Sequence, residues 1–309
     1  MMQNDSPSQP RKRPILARIF LSPEERRLRA GWRLLIQTLL WLVLMFGLVI
    51  LFGFIFGRFF SNELTFSVIA SLFSVTISVF LARKFLDRRS ILSLGLKTDL
   101  RALWDLLVGI GIAAAMMAFI YALEWAFGWL SFEGFAWQNQ SMDAVLIGTL
   151  EMLLVFILVG WEEELLSRGY HLQNLTAGIN LAWGVILSSL IFALMHLGNP
   201  NVSFMAVLGL IAAGFFLAYG YLRTRQLWLP IGLHIGWNFF EGTVFGFQVS
   251  GLDIYRLIEQ TVQGPQIFTG GEFGPEAGLI LIPGLVLGVA LIYLYSRIRN
   301  KELGLEDKG

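Results

Sequence analysis

The chain has 309 residues, 56% of them hydrophobic and 15% charged, with a formal net charge of +1, a mean hydropathy of +0.66 and no cysteine. A soluble domain carries about 25% charged residues, so the composition excludes an ordinary soluble globule, and the balanced charge excludes a nucleic-acid partner. The lack of cysteine excludes disulfides, thiolate metal sites, a cysteine nucleophile and thioether lipid anchors.

Residues 1–13 are polar and end in Arg11-Lys12-Arg13. No short apolar core with a small-residue cleavage site follows, so no removable signal peptide is expected. Ser22-Pro23-Glu24-Glu25 reads as a helix start, with a Ser cap, Pro at the first position and Glu at the third. The basic stretch from Arg26 to Arg33 is expected at the membrane surface. Apolar runs then predict eight transmembrane spans, at 34–57, 64–82, 104–123, 143–170, 181–197, 203–222, 227–247 and 279–296. The fold class expected is all-α, a polytopic integral membrane protein. It divides into a cytoplasmic or interfacial tail at 1–33, a transmembrane unit at 34–298 whose motif-bearing core is 143–245, and a short cytoplasmic tail at 299–309.

The basic residues are segregated. Eight lie in the N-terminal tail, six between spans two and three, one at the end of span four, two between spans six and seven and four at the C-terminus. Only Arg58 and Arg256 fall on the other side. Positive residues mark the cytoplasmic side, so both termini are expected inside. The excess of Arg over Lys and the lack of a long extramembrane domain suit a multi-pass protein of a bacterial inner membrane. The outer segment Gln248–Gly278 contains Thr269-Gly270-Gly271-Glu272-Phe273-Gly274-Pro275-Glu276, which reads as tight turns; its stretch 264–278 receives no role.

Span four runs into Trp161-Glu162-Glu163-Glu164-Leu165-Leu166-Ser167-Arg168. Carboxylates in such a helix are costly and usually face a protein interior. Glu164 and Arg168 stand i, i+4 in the favourable order for an ion pair. Glu163 points about 100° away, free to face a cavity, and Glu162 points to the other side without an assigned role. The three histidines are His171, His196 and His234. Spans four and five form a hairpin turning near Gly178-Ile179-Asn180. Glu163 stands sixteen residues before Ile179 and His196 seventeen after it, so the two lie within roughly 2 Å of the same depth. His234 and Asn238 share one face of span seven. His234 lies so early in its span that it reaches this depth only if the hairpin projects into the cytoplasm. His171 falls near the cytoplasmic end and is read as interfacial; Phe192 is read as core or lipid contact, and Glu241 as a supporting residue.

A carboxylate and an imidazole in a partly dry cavity can hold and deprotonate a water. A second imidazole and an amide can donate to a developing oxyanion. The bland alternatives are helix packing for Glu164 and Arg168, and interhelical hydrogen bonding for each lone His. A proton or ion site of a transporter is a further alternative.

Glu163-Glu164-x-x-x-Arg168, Phe192-x-x-x-His196 and His234-x-x-x-Asn238, in this order on successive apolar helices, resemble the three motifs of the CPBP family. These are intramembrane proteases related to the type II CAAX prenyl endopeptidases, also called the ABI or CAAX protease family. Gly169-Tyr170 and Ser93-Leu94-Gly95-Leu96 also look typical. The resemblance implies an eight-helix fold with a site open toward the cytoplasm. It implies that Glu163 is the general base, that His196 helps hold the water, that His234 and Asn238 stabilise the oxyanion, and that Glu164 and Arg168 support them. It implies a membrane-associated protein or peptide substrate, possibly lipidated. A catalytic zinc normally has three protein ligands; if Glu163 is the base, only His196 and His234 remain, so no cofactor is expected. The metal-dependent alternative takes Glu163, His196 and His234 as ligands. The non-catalytic alternative is a membrane regulatory or bacteriocin-immunity-type protein.

Overall fold

The computed structural model describes residues 14–22, 25, 27–56 and 63–302. The expectations placed on Arg11, Lys12, Arg13, Pro23, Glu24, Arg26, Arg58 and Lys308 lie outside these residues. Helix α1 (Ile15–Phe20) is short and leaves Ile15, Leu16, Ile19 and Phe20 exposed. The long helices are α2 (Ala30–Phe56), α3 (Glu63–Leu81) and α4 (Leu100–Ala126). Strand β1 (Leu130–Phe135) precedes α5 (Met142–Glu164), which passes through a π-helical stretch, Leu165–His171, into α6 (Leu172–Gly178). Then come α7 (Leu181–Met195), α8 (Phe204–Thr224) and α9 (Trp228–Asn238), the last continued by a π-helical stretch, Phe239–Val244. Strand β2 (Ile258–Val262), the single turn α10 (Gln266–Thr269) and α11 (Leu281–Glu302) complete the chain.

Among the described residues, six helical segments are long and apolar enough to cross a membrane: 30–55, 67–86, 100–126, 142–178, 204–224 and 281–301. The expected span at 181–197 corresponds to α7, of 15 residues, and that at 227–247 to α9, of 11 residues, with its π-helical continuation of 6. Neither is longer than the roughly 17 residues a crossing needs. The helix-only expectation is also amended. β1 and β2 pair antiparallel, with a bulge between Phe132 and Gly134. The partners lie more than a hundred residues apart, so no local hairpin signal announces them.

Local chemistry explains where the helices begin. The side chains of Asp99, Ser141, Asn180 and Ser203 each accept a hydrogen bond from the backbone N–H three residues on, satisfying a donor the first turn leaves free. Among the described residues from Ser22 onward, no helix begins before Ala30. Leu21 and Leu28 pair as an antiparallel bridge, Ser22 N–H donates to Arg27 O at 2.8 Å, and α2 starts only at Ala30. Two arginines of this stretch, Arg27 and Arg33, turn into the protein, whereas Arg29 is exposed. Arg33 and Arg83 converge on Asp87 at 2.7 and 2.9 Å, and Arg27 donates to Asp87 O. Arg27, Arg33, Arg83 and Asp87 are all buried. Buried charges persist when paired and hydrogen-bonded, and this cluster turns the chain inward.

The centre of the molecule is α9. Nine of its residues, including Pro230 in the first turn where no N–H is needed, are buried. Four pairs spaced i, i+4 give it four faces. Ile231 and Ile235 join the apolar cluster of Leu94, Leu165 and Tyr170. Leu229 and Leu233 join the cluster of Met116, Phe192 and Leu210. Gly232 and Gly236 lie so close to α4 that an added Cβ would stand 2.1 Å from Leu106 O and 2.8 Å from Ile110 O, respectively. The fourth pair is His234 and Asn238. A helix enclosed on all sides needs apolar or small residues everywhere except where it serves another purpose.

Candidate active site

Glu163 occupies the last α-helical turn of α5, and His196 caps the C-terminus of α7. The hairpin turns where expected, with α6 ending at Gly178 and Asn180 capping α7. Glu163 Oε2 lies 3.7 Å from His196 Nε2 and 3.9 Å from His234 Nε2. The equal-depth argument for Glu163 and His196 therefore holds. His234 reaches the same point although it stands early in its helix. These separations exceed direct hydrogen bonds and suit one bridging water. Glu163 Oε2 has no protein hydrogen-bond partner.

The outer nitrogens of both rings are committed. His196 Nδ1 lies 2.9 Å from Phe192 O, a carbonyl that only accepts. His234 Nδ1 lies 2.9 Å from Glu164 Oε1. Both Nδ1 atoms are therefore assigned a proton, and in the neutral tautomer each ring turns its Nε2 lone pair toward Glu163. Three acceptors facing one point can hold a water through its two O–H groups. Donation to an oxyanion from either ring requires the second proton on Nε2. The amide of Asn238, which is buried and lines the same cavity, can donate in any protonation state.

Glu164 and Arg168 form the expected ion pair at 2.8 Å, fully inside the protein. The same Glu164 oxygen also receives His234, so this pair orients a site residue as well as joining helices. Arg168 donates its other arm to Gly214 O at 3.1 Å and lies over the Phe192 ring at 4.5 Å. Phe192 thus packs between the guanidinium and both imidazoles, with ring centroids 4.9 Å from His196 and 6.1 Å from His234. It is a wall of the site, buried and away from lipid. His171, read as interfacial, is buried within the π-helical stretch, with no hydrogen bond at Nδ1. Glu162 is buried beside Ser71, whose hydroxyl hydrogen-bonds its carboxyl. Glu241 is fully buried, one turn past Asn238.

Glu162, Glu163, Phe192, His196, His234 and Asn238 line a cavity of about 340 Å³ whose walls are otherwise mostly apolar. The sequence reading missed one contributor. Glu276, from the Gly-rich segment before α11, enters the cavity and accepts hydrogen bonds from Trp237 Nε1 at 3.1 Å and Ser250 Oγ at 2.5 Å. Burial pushes its carboxyl above the usual range, while Ser250, the two imidazoles and Trp237 pull it back. Its one sequence signal is a carboxyl set among glycines directly before an apolar helix. Gly270, Gly271 and Gly274 there adopt positive φ, the tight turns expected. Among the described residues, no group of three or more His, Cys, Asp or Glu side chains is arranged to hold a metal ion; Glu163, His196 and His234 converge without meeting that geometry.

Residues 145–240 match the family described as Type II CAAX prenyl endopeptidase Rce1-like. The match runs from the first turn of α5 to the end of α9. It contains every motif residue from Glu163 to Asn238 and agrees with the family those motifs resemble. Glu276 lies beyond it. No curated protein matches the chain.

Proposed function

We propose that this protein is an intramembrane endopeptidase acting on a membrane-associated protein or peptide. The observation that carries the reading is the meeting of Glu163, His196 and His234, from three separate helices, around one water-sized gap in a mostly apolar cavity. The match of this same segment to a protease family supports it.

The chemistry follows from the tautomers. A water donating to Glu163 and to His196 Nε2 gives a proton to Glu163 as its oxygen attacks the peptide carbonyl carbon. The carbonyl π electrons move onto oxygen. Asn238 donates to that oxyanion, and His234 does so when its Nε2 carries a proton. Glu163 then passes its proton to the departing nitrogen, and the C–N bond breaks. Each of these steps is carried by side chains alone, without a metal; chelators are expected to leave activity intact. The charge segregation supports eight crossings with both termini cytoplasmic, α7 and α9 being the two short ones. A bacterial inner membrane is the setting we propose.

The non-catalytic alternative draws on the Glu164–Arg168–His234 network, which would staple three helices in an immunity-type protein too. Glu163 separates the readings, because its free oxygen takes no part in that network. Cells carrying wild type or Glu163→Ala at matched membrane abundance should be compared for new peptide termini. Termini seen only with wild type, and lost again with His196→Ala, are expected. Identical termini in all three would overturn the endopeptidase reading.

A further inference from the structure

A second cavity, of about 770 Å³, lies beside the first turn of α2. Its charged lining residues are Glu25, Arg27, Arg29 and Arg33. Arg27 and Arg33 are buried, and Arg29 is exposed. The carboxylates that answer them are shared. Glu25 pairs with Arg27 and also with Arg89 at 3.0 Å. Asp87 pairs with Arg33 and with Arg83. Counting Arg29, five arginines stand against two carboxylates among the described residues of this cluster. Burial, with Arg33 and Arg89 close by, holds the Arg27 guanidinium below its ordinary value, and Glu25 and Asp87 do not offset it. Arg33 is 3% exposed, and its Nε has no hydrogen-bond partner. Buried charge without full compensation is costly, and a bound anion would offset that cost.

Ala30, Gly31 and Trp32, which open α2, also line the space, and the first N–H groups of a helix have no acceptor within it. A Cβ on Gly31 would meet nothing within 4 Å. The end of α6 walls the space off, where a Cβ on Gly178 would stand 2.5 Å from Ala30 Cβ. The apolar, membrane-length stretch of α2 begins at Ala30, so the cavity lies at the bilayer boundary. Helix α1 is tied to the same turn. Trp32 Nε1 donates to Ile19 O at 3.1 Å, its ring packs on Phe20 with centroids 5.0 Å apart, and Arg29 Nη1 donates to Arg18 O at 2.9 Å. Ile15, Leu16, Ile19 and Phe20 share one face of α1 and are exposed. In a helix fastened to the start of a membrane span, such a face is covered by acyl chains.

We propose that this cavity binds the phosphate of an anionic phospholipid, with Arg27, Arg29 and Arg33 around the headgroup and α1 seated in the adjoining acyl region. Arginine matches phosphate oxygens in geometry as well as charge. The excess of cations favours a headgroup without an ammonium of its own, phosphatidylglycerol over phosphatidylcholine. The site shares no lining residue with the cavity of Glu163 and does not rest on the endopeptidase reading.

The test uses the purified, delipidated full-length protein in a non-ionic detergent. Dioleoylphosphatidylglycerol, dioleoylphosphatidylcholine and sn-glycerol 3-phosphate are titrated separately, and bound molecules are counted by native mass spectrometry. The expected Kd for phosphatidylglycerol is about tenfold below that for phosphatidylcholine. Arg29→Gln should raise it about fivefold, the worth of one arginine beside an anionic surface. Gly31→Leu, which fills the open space and leaves every arginine in place, should remove the tightest-bound lipid. Both positions are exposed, so neither variant disturbs the buried ion pairs, and their melting temperatures should match wild type. Lys301→Gln, at an exposed cation on α11, is the control and should change the Kd less than about twofold. Loss of affinity in either variant with the control unchanged supports the site. Equal Kd values for the two lipids would overturn the proposal. So would wild-type binding of phosphatidylglycerol in both variants, or a loss in Lys301→Gln as large as theirs. Glycerol 3-phosphate binding as tightly as phosphatidylglycerol would assign the site to a soluble phosphate ester and overturn the lipid.

Discussion

At the scale of single residues, the three adjacent carboxyls of α5 have separate work because a helix turns about 100° per residue. Glu164 faces Arg168 and His234, Glu163 faces the cavity, and Glu162 faces Ser71. Removing them should therefore have unlike effects. Glu163→Gln is expected to lower the cleavage rate by about 10³-fold while leaving the melting temperature close to wild type, since its free oxygen holds no protein group. Glu164→Ala leaves a buried guanidinium without its partner and should cost about 3–5 kcal/mol of stability, read as loss of folded protein in a thermal melt. Equal stability losses in the two variants would contradict this division. Glu276 has a pH signature. Burial raises its native carboxyl above the ordinary 4.5, so the native state holds that proton more tightly than the unfolded chain. Stability is then unaffected below about pH 4.5 and declines as pH rises toward the native value. Glu276→Gln removes this decline. Its gain in melting temperature over wild type should grow from pH 4.5 upward and level off once the native carboxyl ionises; a difference independent of pH would sink the account. The roles of Glu164 and Arg168 were legible from spacing, whereas the double use of Glu164 was not, because i, i+4 arithmetic sees one helix and His234 comes from another.

At the scale of elements, the site depends on how α9 is held. Its N-terminus is fastened by the Ser93-Leu94-Gly95-Leu96 turn. Gly95, at φ +100, accepts Leu227 N–H at 2.8 Å, and Trp228 Nε1 donates to Lys97 O at 2.7 Å. Its flank rests on α4 through Gly232 and Gly236. Gly232→Ala would place a methyl 2.1 Å from a backbone oxygen of α4 that has no side chain to swing aside. Overpacking of this kind costs about 1–3 kcal/mol and displaces α9 with His234 on it. Both melting temperature and cleavage rate are expected to fall; an unaltered rate would mean that α9 is not held by this contact. The π-helical stretch after Glu164 is a second device at this scale. It inserts extra residues in a turn that buries Arg168, Tyr170 and His171 together, and such bulges recur near functional sites. Apolar spacing does not announce it, since a π turn has no composition of its own, and the burial of His171 was not legible for that reason.

At the scale of the whole molecule, the basic residues carry the proposed orientation and also serve the interior. Arg33 and Arg83 both close on Asp87, which Asn174 also approaches at 3.4 Å, so α2, the end of α3 and α6 are tied at one place. The proposed topology has a direct test, because the chain contains no cysteine to give background. Single cysteines at the exposed positions Lys97, Gln263 and Lys301 should react with a membrane-impermeant maleimide from one side for Lys97→Cys and Lys301→Cys, and from the other for Gln263→Cys. Labelling of all three from one side would overturn the eight-crossing arrangement.

What could be read along the chain was whatever depends on local order. Apolar runs marked the long helices, charge segregation indicated orientation, and constant rise per residue brought Glu163 and His196 to one depth. Spacing within single helices paired Glu164 with Arg168 and His234 with Asn238. What only the folded chain decided depends on segments distant in sequence. The pairing of β1 with β2, the inward turn of Arg27 and Arg33, the tautomer of His234 and the entry of Glu276 into the cavity all require partners on other elements, more than twenty residues away. Local periodicity carries no information on such partners. Burial and hydrogen bonding select them, because each polar group taken out of water must find a partner wherever the fold provides one.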